Sequence, residues 1–263
     1  MSSPASPASP ASPLLYFSHR HASFSTTLTD CRKQGELSET MFDEADAQFE
    51  ARVTESCKGA DPIACGRGCA TCCSLRVTAT APEVLRVARH LRERVDGDTC
   101  VRLVRRLFEA DGLTRDLDES ERVALRHKCP FIDKAACVIY PVRPLACRGH
   151  ASHSRKACVQ AARGQIDSVP HSVAHRDARS LIQNALQSAL RDTGLGWGAY
   201  ELNHALRIAL ATPDAEARYL QGEDLFADAQ VHEVPAHEMA EGFDLIKKMA
   251  NTAVPAVRRN VAS

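Results

Sequence analysis

Cys65-Gly66-Arg67-Gly68-Cys69-Ala70-Thr71-Cys72-Cys73 places four cysteines within nine residues, the last two adjacent. A core cysteine behaves as a small hydrophobe, and packing gives no reason to gather four in one glycine-rich loop. A second thiol-rich stretch runs Cys129-Pro130-Phe131-Ile132, then Cys137-Val138-Ile139-Tyr140, then Arg143-Pro144-Leu145-Ala146-Cys147-Arg148, and closes at Cys158. Several thiolates together favour zinc or iron–sulfur clusters over hard cations. We read the two stretches as halves of one metal-binding centre. Its candidate ligands are Cys65, Cys69, Cys72, Cys73, Cys129, Cys137, Cys147 and Cys158.

Gly66 and Gly68 allow the sharp backbone turns that wrap Cys65, Cys69 and Cys72 around one point. Adjacent side chains tend to diverge, so Cys72 and Cys73 are expected to serve different ions or different corners of a cluster. Asp133-Lys134-Ala135-Ala136 separates two short β-prone runs and reads as a tight hairpin that brings Cys129 and Cys137 together. Pro141 and Pro144 bar a helix immediately afterwards, leaving Cys147 on a stiff return. Arg67, Arg143, Arg148 and His150 lie close enough in sequence to donate to the sulfurs and offset their charge. His150 and His153 are the histidines to consider as further ligands, whereas His204 reads as a helix-boundary residue and His171 and His175 as a solvated helix start. Cys31, Cys57 and Cys100 are isolated and read as buried small hydrophobes or exposed thiols. No local Ser/His/Asp or paired-carboxylate arrangement accompanies them.

The rest of the chain is helical by period. Thr40 and Asp43 suggest a capping pair before a face of Phe42, Ala45, Phe49 and Val53. Leu75, Val77 and Ala79 alternate as a short strand would. Thr80 and Glu83 form a capping-box signature ahead of Val84, Val87, Ala88, Leu91 and Val95, with Gly97 as the break. Further helices are expected from Cys100 to near Gly112 and from Glu121 to His127. A long one follows residue 172 and stops at Gly194, another spans Leu202 to Leu210, and a third opens at Thr212-Pro213. Phe243, Ile246 and Met249 mark a last weak helix. Residues 3–13 repeat Ser-Pro-Ala and cannot build a core, and Leu14 to Lys33 shows no sustained period. The expected division is a disordered tail over 1–40, a cysteine-cluster metal-binding domain with a helical C-terminal part over 41–230, and a weakly structured tail over 231–263. Met41 heads a helix, so the preceding residues are expected to be dispensable, or even an over-extended start. The expected fold class is mainly α: a helical domain around a small irregular cysteine-rich metal-binding core with a short β-hairpin.

Lysine plus arginine balance aspartate plus glutamate at 33 each, so no global charge points to nucleic acid. No stretch reaches the apolar length of a membrane span. Eleven cysteines in 263 residues, an odd number with no secretory signal ahead of them, point to reduced thiols in a cytoplasm. The expected partner is a metal ion or cluster, with no membrane and no clear nucleic acid; a protein partner is left open. Residues 84–106 carry seven arginines against three acids, and residues 201–245 ten acids against two arginines. Solvated or mutually packed faces explain this asymmetry, and a docking surface for an acidic partner is the alternative.

These motifs resemble a known family, the zinc- or iron-chelating cysteine cluster proteins often called YkgJ-like. Their pattern is Cys-x3-Cys-x2-Cys-Cys, then Cys-Pro-Phe, Cys-x-Ile-Tyr and Arg-Pro-x-x-Cys-Arg, with a further cysteine matched by Cys158. The similarity spans about residues 65 to 158, and Gly222-Glu223-Asp224-Leu225-Phe226 in the helical end is similar as well. The resemblance implies a zinc or iron–sulfur centre without a defined general activity. Flagellin lysine N-methylases share the cysteine block, which implies an alternative: an iron–sulfur enzyme of redox or S-adenosylmethionine-dependent methyl-transfer chemistry, in a chain shorter than those enzymes. A metal-free thiol redox protein, acting through Cys72 and Cys73, is a further alternative. Cys65-x3-Cys69-x2-Cys72 is also the spacing of radical S-adenosylmethionine enzymes, but Thr71 stands where an aromatic is usual and the flanks read as helices. Gly194-Leu195-Gly196-Trp197-Gly198 follows a helix rather than a buried strand, so it reads as a helix stop anchored by Trp197 and not as a cofactor loop.

Overall fold

The structure, a computed structural model, describes residues 12–232 and 234–253. The Ser-Pro-Ala repeat before residue 12 and the chain after residue 253 lie outside the described residues. The first element is α1 (Pro13–Gln34), with Pro13 in the first turn, where its missing N–H costs nothing, and Gly35 ending it at φ 77°. Phe17, Phe24, Leu28 and Cys31 form its buried stripe. This corrects the expectation that Leu14 to Lys33 is loose. The stripe is one residue wide and set among Ser, Thr and His, so its period is faint in sequence although the packing is complete.

Next come α2 (Glu39–Ser56) and a loop of turns that carries the first cysteines. Phe42, Ala45, Phe49 and Val53 are buried on α2, as their period predicts. Its N-cap is Ser38, not the expected Thr40 and Asp43 pair; Asp43 instead reaches Arg86. β1 (Thr78–Ala79) leads into α3 (Ala81–Glu93), then α4 (Gly97–Thr114) and α5 (Glu119–Leu125) follow. Asp96 caps α4 by accepting from Thr99 N at 3.0 Å, so Gly97 begins a helix rather than only ending one. Gly112 lies inside α4, which runs on to Thr114. β2 (Ile132–Asp133) and β3 (Ala136–Cys137) pair antiparallel as the expected hairpin. The turn residues Lys134 and Ala135 sit at φ 45° and 64°, the two positive values of a tight two-residue hairpin turn.

The remaining elements are α6 (Leu145–Gly149), α7 (Arg155–Ala162), α8 (Val173–Asp192), β4 (Tyr200–Glu201), α9 (Leu202–Ala211), α10 (Ala215–Leu220) and α11 (Ala236–Ala253). α8 is the central post. It packs against α1, α2, α6 and α11, and its Ala178, Ala185 and Ala189 let neighbours approach closely around Ile182, Leu186 and Leu190. α9 forms a second centre against α3 and α4, and β4 pairs with β1 to close the gap between the two groups. α11, expected as a weak helix in a tail, is a full helix with Phe243 and Ala250 buried. Arg191 of α8 holds it by donating to Ala240 O at 2.9 Å and pairing with Asp244. Gly194, at φ 71°, ends α8 as expected, and the loop behind it sets Trp197 edge-on to Phe243 at 6.0 Å. α10 starts at Ala215, two residues after the proline expected to open it.

Much of the basic segment is spent inside the fold. Arg86 is buried and bridges Glu39, Asp43 and Asp46 of α2, Arg89 joins Glu39 to Glu216, and Arg92 donates to the carbonyls of Ala209 and Leu210 at the end of α9. The Arg89–Glu216 pair also links the basic segment to the acidic one, which accounts for part of the asymmetry by packing. Among the described residues, no helix is long and apolar enough to cross a membrane.

Phe24→Ala is expected to lower unfolding free energy by about 3–5 kcal/mol, the usual cost of emptying a buried aromatic site. Urea unfolding of the two proteins measures this, and an unchanged midpoint would detach α1 from the core.

Candidate metal centre

The first cysteine loop is a chain of turns rather than a helix or strand. Cys69 N donates to Gly66 O at 3.0 Å, and Gly68 sits inside that turn at φ 90°, a value that favours glycine; Gly66 stays in the ordinary region. Cys73 N then donates to Ala70 O and Leu75 N to Cys72 O, so each thiol leaves a closed turn. The loop is stitched to the chain after α6: Ala64 N donates to Ser152 O at 2.8 Å and Ser152 N to Cys65 Sγ at 3.3 Å. A short contact from Cys129 N to Cys73 O, 2.6 Å, joins it to the second stretch.

The second stretch is held by polar clamps from its neighbours. Arg106 of α4 donates to Ile132 O and faces Asp133, fixing the hairpin on which Cys137 sits. Cys147 does not ride a stiff extended return. Pro144 is instead the residue before α6, where its missing N–H is harmless, and Cys147 lies on that one-turn helix. Glu83 places α6. One of its oxygens accepts from Thr80 N and Oγ1 at 2.8 and 2.9 Å, capping α3, while the other accepts from Leu145 N at 2.7 Å. One buried carboxylate therefore serves two helix starts. Cys158 stands on α7, whose start is capped by Ser154.

Cys65, Cys69, Cys72, Cys73, Cys129, Cys137 and Cys147 line one cavity of about 570 Å³. Cys158 is not in its wall, but its charge bears on Cys65. All eleven cysteines are free thiols. Among the described residues, no three cysteine, histidine or carboxylate side chains stand close enough as oriented to hold an ion, so closing a site requires thiols to rotate inward from the wall. The donor chemistry suits a thiophilic metal: seven sulfurs face one space, drawn from a turn loop, a hairpin and a one-turn helix.

Burial dominates the electrostatics. It pushes the Cys129 and Cys147 thiols up to about 12, with the charges of Cys137 and a neighbouring thiol adding to the rise. Cys72 is raised furthest, by the neighbouring Cys73 thiol, which favours its protonated form, and by burial. Cys65 and Cys137 are raised by burial and partly relieved by the backbone N–H groups of Ser152 and Ile139. Arg143 opposes the rise at both Cys137 and Cys147, as expected of a cation beside the sulfurs, while it stacks 3.9 Å over the Tyr140 ring. Arg67 lies over the same ring at 6.0 Å.

Other expected residues sit differently. Arg148 spends its guanidinium on Asp46 at 2.8 Å, Glu50 at 3.6 Å and the carbonyls of Pro141 and Arg143, so it anchors α6 to α2 rather than donating to sulfur. His150 lines the cavity, meeting the His171 ring edge-on at 4.8 Å, and burial lowers its pKa. His153 meets Pro62 O at 3.4 Å and is not in the cavity wall. His175 is no solvated helix residue: it is buried, bonded to Ser172 Oγ at 2.8 Å, and lines the cavity. His204 is likewise buried, 3.0 Å from Asp111, which also takes Arg115 and Arg207.

Sequence reasoning gave no role to Arg76 and Arg122. Arg122 of α5 donates to Thr114 O and to Glu201 Oε1, both at 3.0 Å, and its side chain is 5% exposed. Its Nη2 has no hydrogen-bond partner, nor do Arg76 Nε and Arg143 Nε, and all three arginines line the cavity. A buried donor left unpaired costs about 1–3 kcal/mol, more on a charged group. Positions 76 and 122 carry no motif, so only the fold reveals them.

Fold and cavity together define a mainly helical protein with a thiol-lined pocket. Residues 64–164 match the model of the CxxCxxCC family, described as a putative zinc- or iron-chelating domain. The matched segment contains all eight candidate cysteines. No curated protein and no solved structure matches the chain.

Metal-free protein is expected to lose stability as pH rises above 9.0, the ordinary thiol value, toward about 12, the folded value of Cys129 and Cys147. The folded state keeps these protons while the unfolded chain releases them, so the stabilisation is complete below 9.0 and lost above it. Urea midpoints across this range measure the effect; a midpoint that rises with pH there contradicts it.

Proposed function

We propose that the protein binds zinc or an iron–sulfur cluster through thiolates of Cys65, Cys69, Cys72, Cys73, Cys129, Cys137 and Cys147, with Cys158 joining from α7. The observation that carries this reading is the convergence of seven cysteines, from segments 82 residues apart at their extremes (65 to 147), on one cavity. Packing alone gives no reason for that concentration, and the family match supports chelation as the class of chemistry.

The cation supplies the charge that lets these thiols ionise in a buried setting. The chain's residues then divide the remaining work. Ser152 N–H and Ile139 N–H hydrogen-bond the sulfurs of Cys65 and Cys137, Arg143 offsets charge at Cys137 and Cys147, and Arg106 does the same at Cys129. Metal uptake releases thiol protons, so affinity rises with pH over the range in which apo stability falls. Eleven free thiols suit a reducing compartment, which favours the cytoplasm.

Anaerobic purification with metal and acid-labile sulfide analysis separates the two versions. Colourless protein with stoichiometric zinc would remove the iron–sulfur version, and visible absorption with iron and sulfide the zinc one. Cys69→Ala is expected to lower metal content in either case. Unchanged content would overturn the ligand assignment.

A further inference from the structure

A second cavity, of about 290 Å³, lies between α8, the loop over residues 196–199 and the chain around Gln230. Its wall holds one cation and one anion, Arg179 and Asp224, and among the described residues neither makes an ion pair. Arg179, Gln183 and Gln187 follow one another at intervals of four, so they form a row up α8 about 12 Å long at 1.5 Å per residue. Arg179 begins that row. Asp224 belongs to its other end: Gln187 Nε2 donates to Trp197 O at 3.0 Å, and a β-carbon on the adjoining Gly196 would lie 3.9 Å from Asp224 Oδ1.

We propose that this cavity binds a short zwitterionic peptide of two or three residues, its carboxylate on Arg179, its ammonium on Asp224 and its peptide groups on the side-chain amides between them. Three extended residues reach at most about 10 Å, which suits a row of this length. The amides are available. Gln187 is 1% exposed and commits Nε2 to Trp197, while its Oε1 has no partner among the described residues. Asn184 and Gln230 line the cavity with no side-chain hydrogen bond among the described residues, and Gln183 uses only Oε1. None of these groups is among the buried atoms sealed from solvent, unlike the orphan nitrogens of Arg76 and Arg122. An amide side chain offers both a donor and an acceptor, the pair that a peptide group requires.

The wall is braced in this arrangement. The Arg179 stem packs on Gly149 of α6, where a β-carbon would come within 2.7 Å of Arg179 Cβ and Cδ. Its Nε donates to Gln183 Oε1 at 3.1 Å, and Gln183 lines this cavity and not the thiol cavity, so the guanidinium is turned along the row. A guanidinium held by its stem and Nε presents its remaining edge to a carboxylate with little further ordering. Gly198 keeps the loop close, since a β-carbon there would lie 3.1 Å from Gln230 Nε2 and from Tyr200 Cζ. Val231 and Met239 supply apolar wall for the peptide's side chains. Arg179 and Thr78 also line the thiol cavity, so the two spaces share a wall, but the proposal does not depend on the metal-centre reading.

The test is isothermal titration calorimetry of the full chain with trialanine, for which saturable binding is expected. N-acetylation and C-amidation of the peptide should each weaken binding by about tenfold, the value of one hydrogen bond to a charged group. Asp224→Asn should weaken trialanine to the same degree and abolish the effect of N-acetylation alone. Arg179→Gln should do so and abolish the effect of C-amidation alone. Arg176→Gln, on an exposed residue of the same helix outside the cavity wall, should bind as wild type does. Because Arg179 packs on Gly149, the capped peptides carry the test without altering the protein, and the variants are compared once circular dichroism shows them folded. No saturable binding of trialanine, undiminished binding of the doubly capped peptide, or wild-type affinity in folded Asp224→Asn and Arg179→Gln would each overturn the proposal.

Discussion

Thiols gathered in a buried space cannot ionise together without a cation, and that constraint governs the middle of this molecule. Cys129 and Cys147 are pushed up to about 12 by burial and by neighbouring thiols, Cys137 beside both. A covalent crosslink would remove the problem, but all eleven cysteines are free. The alternative is a bound positive charge strong enough to offset desolvation, which is the proposed role of the metal. Most of the surrounding architecture bears on where those sulfurs stand rather than on their identity.

The placement relies on polar residues that each brace two segments. Glu83 caps α3 and starts α6, which sets Cys147 relative to the helical core. Ser152 holds Cys65, and Arg106 holds the hairpin of Cys137. Arg148 ties α6 to α2 through Asp46. Behind these braces the apolar packing of α8 and α9 provides the rigid background. A loop made only of turns can thus hold four cysteines in register without secondary structure of its own.

Much of this was legible in the sequence where chemistry or period is strong. The cysteine spacing identified the lining of the cavity, Thr80 and Glu83 marked the start of α3, and the stripes of α2, α8 and α9 gave their buried faces. The hairpin was readable from two β-prone runs and their separation. Failures occurred where signals are diluted. α1 buries Phe17, Phe24 and Leu28 along a stripe too narrow to stand out among serines and threonines. By local period His175 looks like a solvated helix start and His204 like a boundary residue, yet partners distant in sequence, Phe49 for one and Asp111 for the other, pack against them. Arg76 and Arg122 gave no signal because their partners, Leu117 O for one and Glu201 for the other, lie far along the chain.

The central claim is that several of these sulfurs hold one metal centre. X-ray absorption at the metal edge of protein purified anaerobically reads this directly. The account predicts a first shell dominated by sulfur, at about 2.3 Å if the metal is zinc, with sulfur lost from that shell in Cys147→Ser. A shell of only nitrogen and oxygen, or a sulfur shell that Cys147→Ser leaves intact, would contradict it.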